Sequence, residues 1–529
     1  MDPLSGSCYN LNSQTLSNQI LAQQKIDQKY SQISGSVVTL SKYEQRNFKN
    51  LTPQILAAIL VTSYHVSIGI SLAFSAILLP QLKSNPEFGV ISENEASWIG
   101  NSKITITIKK NKILASIVAL STPLGSLMVG FLMDQYGRLK TLAMASIPAI
   151  SGWVLIALSD NVLLLITGRA LVGFASSIGS SPAVVYLTEI ARKDMRGSLI
   201  CFAQALTSLG MVLAFIMGYF LDWKQVAWFT NIFIVVPCIL VFFIPESPAW
   251  LVSKNRIEEA KKSLLWINKY QTVQLSLVQL ALLQREHELK ESETSKMDTF
   301  RELGKPTGYK PLLILTGLFL FQQFSGIFTF LFYSITFFQE VGSEMNPYLT
   351  SIFIGIVRFV MCMVNTYVLR TYGRRPLVIL SCFGMSFSIF FSGFFTYWVK
   401  TGTSTLTWLP VVFLLLFVFT SMIGLVPIPY TMTAELFPLE IRGVAHSIST
   451  CLASIFTFAS LQLYPVMYEG FGGIHGVQYF FSGVTLIAAI YVYVFLPETH
   501  QKKLSEIEEY FNKTPQSENI KKKDLMQEV

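Results

Sequence analysis

Charge is absent from long stretches of this chain. Ten runs between successive Asp, Glu, Lys or Arg are long enough to cross a bilayer: 50–82, 113–133, 141–159, 197–221, 225–245, 311–339, 376–399, 401–434, 443–468 and 470–497. Two more, 161–188 and 345–369, are interrupted only by Arg169 and Arg358. A span takes about 20 apolar residues, because hydrocarbon offers no water to a charge or a free backbone group. The pattern predicts twelve transmembrane helices, which we number span 1 to span 12 in chain order.

The longest polar interval, 246–310, divides the spans six and six. Inside it Arg256 to Tyr270 and Leu275 to Leu289 space their apolar residues as helices do, which predicts a cytosolic helical linker lying against the membrane domain. Residues 1–50 are polar, Gln-rich and without a short apolar core, so they read as a disordered cytosolic tail and not as a cleaved signal. Residues 498–529, with Lys521, Lys522 and Lys523, read as a solvated cytosolic end. The expected organisation is a tail at 1–50, six-helix bundles at 51–245 and 311–497, the linker at 246–310 and a tail at 498–529. The sequons Asn50-Leu51-Thr52 and Asn512-Lys513-Thr514 both fall on the expected cytosolic side and read as chance matches.

Composition narrows the class. Hydrophobic residues make up 51% of the 529 and charged residues 14%, with mean hydropathy +0.48. Soluble globular chains carry about 25% charge. A nucleic-acid-binding protein, a disordered protein and an ordinary cytosolic enzyme are excluded. The net charge of +8 is a topology signal: with both termini cytosolic, only Lys83, Lys103, Lys109, Lys110, Lys112, Lys224 and Lys400 of the 40 Lys and Arg lie outside. Six cysteines, at 8, 201, 238, 362, 382 and 451, show no disulfide framework and no metal-ligand spacing. No catalytic constellation or phosphate-binding loop occurs, and nothing in the chain asks for a cofactor or a metal.

The halves repeat each other. Gly137-Arg138 after span 2 returns as Gly373-Arg374-Arg375 after span 8, and Glu189 precedes Arg196-Gly197 by the same seven residues that separate Glu435 from Arg442-Gly443. Span 6 ends in Pro245-Glu246-Ser247 and span 12 in Pro497-Glu498-Thr499. Internal repeats are the common device of secondary transporters, whose substrate site lies between repeats near the midplane. The carboxylates and arginines at fixed spacing read as ion-pair latches at the cytosolic helix ends, made when that face shuts and broken when it opens. Each is worth only about 0.2 to 1 kcal/mol at a wet interface, which suits a rocking equilibrium. The candidate gating residues are Asp134, Arg138, Glu189, Arg196, Glu246, Arg374, Arg375, Glu435, Arg442 and Glu498.

These residues resemble the major facilitator superfamily, and within it the sugar-porter family that includes the animal facilitative glucose transporters, over roughly 54–505. The resemblance is carried by Gly130, Asp134, Gly137 and Arg138; by Arg169, Pro182, Tyr186, Glu189, Arg196 and Gly197; and by Pro245-Glu246-Ser247-Pro248. Gln322-Gln323-x-Ser325-Gly326, Pro427-Ile428-Pro429-Tyr430, Glu435-Leu436-Phe437-Pro438 and Pro497-Glu498-Thr499 complete it. Glu95-Ala96-Ser97-Trp98-Ile99 and Ser121-Thr122-Pro123-Leu124-Gly125 are most similar to the insect facilitated trehalose transporter group. The resemblance implies an all-α polytopic membrane protein of twelve transmembrane helices in two pseudo-symmetric six-helix bundles, moving a sugar by alternating access. It also implies sugar contacts at Gln204 in span 5 and at Gln322 and Gln323 in span 7. The depth of Gln322 agrees, since eleven residues into its span is about 17 Å at 1.5 Å per residue. An amide there must find a neighbour, water or a ligand. Ser325, Thr329 and Tyr333 bring further donors and acceptors to that depth.

Departures from the family pattern bear on the substrate. Phe328 and Met422 stand where the family carries Asn and Glu, Tyr430 replaces a Trp, and Ala453-Ser454 replaces Asn-Trp. Arg358 occupies the position of a sugar-contacting Asn. The expected pocket is more apolar than that of a glucose transporter, with one charge added. Arg370 takes the place of an acid before Gly373, so the second latch is expected to be built differently. Span 1 has no carboxylate, which the family's proton symporters use, and His65 is its one titratable candidate.

Residues 100–114 interrupt the run into span 2 with four lysines and read as a retained intron or gene-model artefact, or otherwise as an outer loop with strand tendency. The resulting expectation is a monomeric plasma-membrane facilitator of a hexose or trehalose, in contact with lipid and not with nucleic acid. The alternatives are a proton-coupled sugar symporter and a non-transporting sugar receptor.

Overall fold

The computed structural model describes residues 51–84, 103–192, 196–293, 301, 303–342, 344–402, 405–438, 441–499, 502 and 504–512. Residues 1–50 and 513–529, the bulk of the expected tails, lie outside them. All regular structure described is helical. Eleven stretches are each long and apolar enough to cross a membrane, from Thr52–Leu82 to Ile474–Phe495, and they coincide with eleven of the expected spans. The remaining one, span 7, is cut into Pro306–Phe324, Ile327–Phe332 and Ser334–Glu340.

Local chemistry explains the cuts. Gly326 takes φ 85°, a left-handed conformation open to glycine at little cost. A Cβ there would lie 2.2 Å from the Phe481 ring of span 12. Span 10 breaks between Leu409–Ile423 and Ile428–Glu435. Pro427 and Pro429 have no N–H, so the carbonyls four residues earlier, on Ile423 and Leu425, lose their helical donors.

Side chains that point away from the bundle are apolar and open, as at Phe131 (69% exposed), Ile147 (71%) and Leu163 (73%). In water such a surface would be a liability; in lipid it is the low-energy one. Inside the first half, spans 1 and 5 cross on glycines. A Cβ on Gly69 would sit 1.9 Å from the Thr207 carbonyl oxygen and one on Gly210 2.1 Å from that of Val66. Spans 3 and 4 meet the same way through Gly152 and Gly168, the close packing that small residues permit between membrane helices.

The two halves touch along spans 5 and 8 and along spans 2 and 11. A Cβ on Gly355 would be 2.6 Å from Val212, and Gln462 Nε2 donates to Ser116 Oγ at 2.9 Å. The rings of Tyr219 and Tyr348 approach to 6.5 Å. All these contacts lie toward the bundle end opposite Arg138 and Arg374. Toward the arginine end span 5 behaves differently. Ser208, Met211 and Phe215 are buried, whereas Gln204, one turn before Ser208 on the same face, is exposed. This face of span 5 is therefore open at Gln204, on the side of the arginine end, and shut from Ser208 onward.

Among the described residues, 245–293 group with 51–57 as a unit distinct from 58–244 and the residues from 301 on. Helices Pro248–Ser253, Ile257–Ile267 and Val273–Glu293 close around Trp250, Leu251, Val252, Ala260, Leu264 and Leu280. Asn268 Nδ2 ties the last two together through Ser276 Oγ (3.2 Å) and Gln279 Oε1 (2.8 Å).

Two expectations are corrected. Residues 103–114 form no loop or strand: the helix runs Lys103–Tyr136 without a break, because the segment holds neither Gly nor Pro and continues straight into an apolar helix. Residues 504–512 of the C-terminal end are not a solvated tail but a helix, Leu504–Asn512. Ile507 and Phe511, one turn apart, are buried, and Lys310 Nζ of span 7 donates to the Phe511 carbonyl at 2.9 Å.

Candidate functional site

The cut in span 7 gathers the second half's predicted polar residues. Gln322 and Gln323 are 0% and 1% exposed. Gln322 Nε2 donates to the carbonyls of Leu425 (2.8 Å) and Val426 (3.0 Å), in the break of span 10. Its amide thus fills the acceptor that Pro429 leaves without a donor. Gln322 Oε1 accepts from Gln323 Nε2 (3.1 Å), and Gln323 Oε1 accepts from Thr457 Oγ1 of span 11 (2.8 Å). Ser460 Oγ donates to the Gln323 carbonyl (3.0 Å) and lies 2.9 Å from Thr329 Oγ1, while Ser325 Oγ donates to the Gln322 carbonyl (2.7 Å). One chain of hydrogen bonds therefore joins spans 7, 10 and 11 at mid-depth.

Two more side chains hold the same break. Asn365 Nδ2 of span 8 donates to the Met422 carbonyl (2.5 Å). Ser381 Oγ of span 9 accepts from Leu425 N (3.1 Å) and donates to the Thr420 carbonyl (2.7 Å). Every buried bond of this kind adds about 1 kcal/mol net, and an unmade one costs about 1 to 3 kcal/mol.

Other predicted residues surround this network with differing exposure. Tyr333 is buried, its hydroxyl has no partner, and its ring packs on Tyr464 at 4.8 Å. Phe328 and Tyr430 are half-buried, the latter edge-on to Phe319 at 5.1 Å. Ser454 is half-buried one turn before Thr457, its Oγ donating to the Thr450 carbonyl (3.0 Å). Gln204 belongs to the first half and makes no side-chain hydrogen bond.

Arg358 sits on span 8 where it faces span 5. One turn back, Gly355 meets Val212; one turn on, Cys362 Sγ lies 3.7 Å from Ser208 Oγ. The residue is 3% exposed, and its Nε and Nη1 have no partner. A charge at such a depth costs about 2.5 to 3.5 kcal/mol. The first half's buried arginine is better served. Arg169 donates from Nη1 to the Ser71 carbonyl (3.3 Å) and from Nη2 to Ser75 Oγ, and its guanidinium lies 5.4 Å from the Phe74 ring centre. Its partners on span 1 are neutral.

At the arginine end the repeat is visible as geometry. Arg138 Nη2 meets Glu189 Oε1 at 2.7 Å with Nε at 3.0 Å from Oε2, and Arg374 Nη2 meets Glu435 Oε1 at 2.9 Å. Each arginine also turns one N–H onto the carbonyl five residues earlier, Met133 and Leu369. The Arg374–Glu435 pair repeats Arg138–Glu189, while the side chain of Arg370, which takes the place of an acid in the second latch, lies outside the described residues. Both pairs join spans of one half. The Glu498 carboxylate accepts from the backbone N–H groups of Arg374 (2.9 Å) and Arg375 (3.1 Å), capping span 9, and Glu435 Oε2 accepts from Thr499 Oγ1 (2.6 Å). Arg375 instead donates to the Tyr493 carbonyl and lies over that ring at 5.1 Å. Glu246 accepts from Ser247 N (2.9 Å) within the linker unit. The side chains of Arg196 and Arg442 lie outside the described residues.

Sequence reasoning passed over Thr457, Ser460, Asn365 and Ser381. Each is a single small polar residue in an apolar run, and its partner is a main-chain group or a distant amide. Pro427 and Pro429 were the available signal, since they announce carbonyls in need of donors.

Comparison with known proteins places the chain. A profile described as sugar (and other) transporter matches residues 57–511. The facilitated trehalose transporter Tret1 of Culex quinquefasciatus is 31% identical over 459 residues, covering 86% of this chain and 85% of its own length. Tret1 of Apis mellifera ligustica is 31% identical over 476 residues, with 89% and 91% covered. The proton:xylose symporter XylE bound to 6-bromo-6-deoxy-D-glucose superposes with TM-score 0.71 at 20% identity, over 88% of this chain and 100% of that one. The inward open conformation of XylE from E. coli gives 0.69 at 20% identity, over 86% and 98%. These structures show the major facilitator fold, and the relatives are transporters, not enzymes. With its profile spanning most of the sequence, its pseudo-repeated ion pairs and its cut spans 7 and 10, this membrane chain belongs to the sugar (and other) transporter family.

Proposed function

We propose that this chain is a facilitative transporter for a sugar, of hexose or trehalose type, that works by alternating access. The observation that carries this reading is the exposed Gln204 on a face of span 5 that is shut from Ser208 onward. A polar side chain wetted from one end and sealed from the other, midway through an apolar bundle, is what one half-cycle of alternating access requires. The relatives named facilitated trehalose transporter support the sugar class.

The substrate lies among Gln204, Gln322, Gln323, Ser325, Phe328, Thr329, Tyr333, Arg358, Tyr430 and Ser454. The unfilled Tyr333 hydroxyl invites a sugar hydroxyl, and Gln323 retains a free amide hydrogen beyond its bond to Gln322. Gln322 serves the site indirectly, by holding the broken helix behind it. The arginine end faces the cytosol with both termini, and the Arg138–Glu189 and Arg374–Glu435 pairs, with Asp134, Arg196, Arg375, Arg442 and Glu498, set the equilibrium between open and shut. The protein is a monomer of the plasma membrane, its two bundles joined by the linker.

Uniport is favoured over proton symport. Arg169 faces only a carbonyl, a hydroxyl and a ring on span 1, so no acid is held there for protonation. The test is uptake of labelled glucose and trehalose into proteoliposomes, with and without a pH gradient. Saturable equilibration that the gradient does not push uphill is expected. Uphill accumulation would make the chain a symporter, and absence of flux for every sugar tried, acidic ones included, would remove the transport reading.

A further inference from the structure

The second buried guanidinium has no use inside the protein. Arg358 Nε and Nη1 together carry three N–H groups, and none has a partner. The spans that could neutralise it carry no acid: Asp and Glu are absent from 197–221, from 311–339 and from 345–434. Arg169, by contrast, spends both terminal nitrogens on span 1. An arginine kept inside an apolar bundle with its donors unspent is expensive to maintain, and a visiting anion is what would offset that expense.

Position says which visitor. Arg358 lies on the seam between spans 5 and 8, where the two halves meet. Solvent reaches Gln204, one turn short of the Ser208–Cys362 contact, and Arg358 is one turn beyond that contact. A solute entering from the arginine end thus halts about two turns, or about 11 Å, from the guanidinium. The polar contact at that level is a weak one to sulfur, Ser208 Oγ to Cys362 Sγ at 3.7 Å. On the same face, two turns past Arg358, Asn365 Oδ1 is buried and lacks a donor. Unspent donors on Arg358 and an unspent acceptor on Asn365, two turns or about 11 Å apart along span 8, are the two kinds of partner that a molecule carrying both an acidic group and hydroxyls needs.

We propose that Arg358 receives the carboxylate of an acidic sugar, so that within the sugar class this chain prefers hexuronates to neutral hexoses and disaccharides. The proposal rests on the reading of the chain as a sugar transporter. It makes transport of the preferred substrate electrogenic, because the arginine stays in the protein while the anion crosses.

Purified full-length protein in liposomes, given labelled D-glucuronate, D-glucose and trehalose at neutral pH, tests it. Glucuronate should enter at least about 10-fold faster at low concentration, in keeping with a charge-assisted hydrogen bond. An imposed membrane potential should change its rate and leave that of glucose unaffected. Arg358→Gln should erase the preference, whereas Arg358→Lys keeps part of it. Glucose or trehalose entering while glucuronate does not, or a preference unchanged in Arg358→Gln, would overturn the proposal and leave the transporter reading standing. Should Arg358→Gln not fold, the wild-type comparison still decides. If no sugar enters, thermal shift separates the two ideas: glucuronate raising the melting temperature of wild type, less that of Arg358→Lys and not that of Arg358→Gln would preserve acid recognition and remove transport, while no shift removes both. Flux of chloride in place of glucuronate would show an inorganic anion site and overturn the acidic-sugar assignment.

Discussion

Gln322→Met separates two roles that the same amide could play. Methionine keeps the length and most of the volume and removes both polar atoms. Two carbonyls, on Leu425 and Val426, would lose donors now at 2.8 and 3.0 Å, and Gln323 Nε2 would lose its acceptor at 3.1 Å. All of this happens at a site 0% exposed, so water does not take over. With about 1 to 3 kcal/mol for each buried group left unmade, and some relief from no longer burying an amide, the net cost is about 2 to 5 kcal/mol. A residue that only touched sugar would cost about 0.5 to 1.5 kcal/mol, all of it in affinity.

The assay is therefore a pair of measurements on the same detergent-purified preparation. Sugar-free thermal unfolding should drop by several degrees in Gln322→Met, and uptake should lose rate as well as affinity, because the break in span 10 is no longer held. Gln323→Met leaves both span 10 carbonyls served but strands Gln322 Oε1, while Thr457 Oγ1 keeps the Ala453 carbonyl, so it should lose less stability than Gln322→Met and show the larger rise in KM for its size of stability change. An unchanged melting temperature in Gln322→Met with only KM raised would refute the clamp and make Gln322 a plain sugar ligand.

Other outcomes follow from the same geometry. Gly326→Val forces a β-branched residue to φ 85° and into the Phe481 ring, and should cost at least about 2 kcal/mol, read as lost folded yield that Gly326→Ala shares in lesser degree. Glu498→Gln weakens the cap on the first two N–H groups of span 9 by about 0.3 to 1 kcal/mol, measurable as a small melting shift that high salt reduces. A double-mutant cycle on Arg138→Gln and Glu189→Gln should return a coupling of about 0.5 to 3 kcal/mol, since the pair is bidentate and only 14% and 18% exposed; a coupling near zero would make it surface decoration.

Much of the scaffold was legible because lipid imposes a coarse rule. Length between charges marked the eleven stretches that are long and apolar enough to cross, two of them in spite of an internal arginine, and the duplicated Gly-Arg and Glu positions drew attention to the residues that pair at the arginine end. Span 7 was marked by length but not its cuts, since a glycine after Ser325 is compatible with either a bend or a helix. The polar network resisted for another reason. Gln322 was readable as needing a partner, but that the partner is main chain on span 10 depends on Pro429 removing a donor 107 residues away. The Arg374–Glu435 pair depends on two residues that the repeat already set in register with Arg138 and Glu189. The 103–114 segment was misjudged because isoleucine and threonine alternate as in a strand over 104–108, while the segment lacks any residue to stop a helix.

The two halves agree where they are held and differ where they bend. Arg138 and Arg374 make the same pair and the same backward bond, so these positions fix helix ends in both bundles. Spans 1 and 7 are both interrupted, at Ser63-Tyr64 and at Ser325-Gly326. Span 4, however, runs unbroken from Val162 to Ile190 across Pro182, while its counterpart span 10 is severed and stitched by side chains from spans 7, 8 and 9. A helix whose ends are joined by side-chain bonds of about 1 kcal/mol each bends more readily than one joined by its own backbone ladder. The second half therefore holds the pliable element, and the first supplies the firmer wall against which it moves. In the transport cycle proposed above, that division assigns the Gln322, Asn365 and Ser381 bonds, alongside the arginine pairs, a part in how far the face at Gln204 closes.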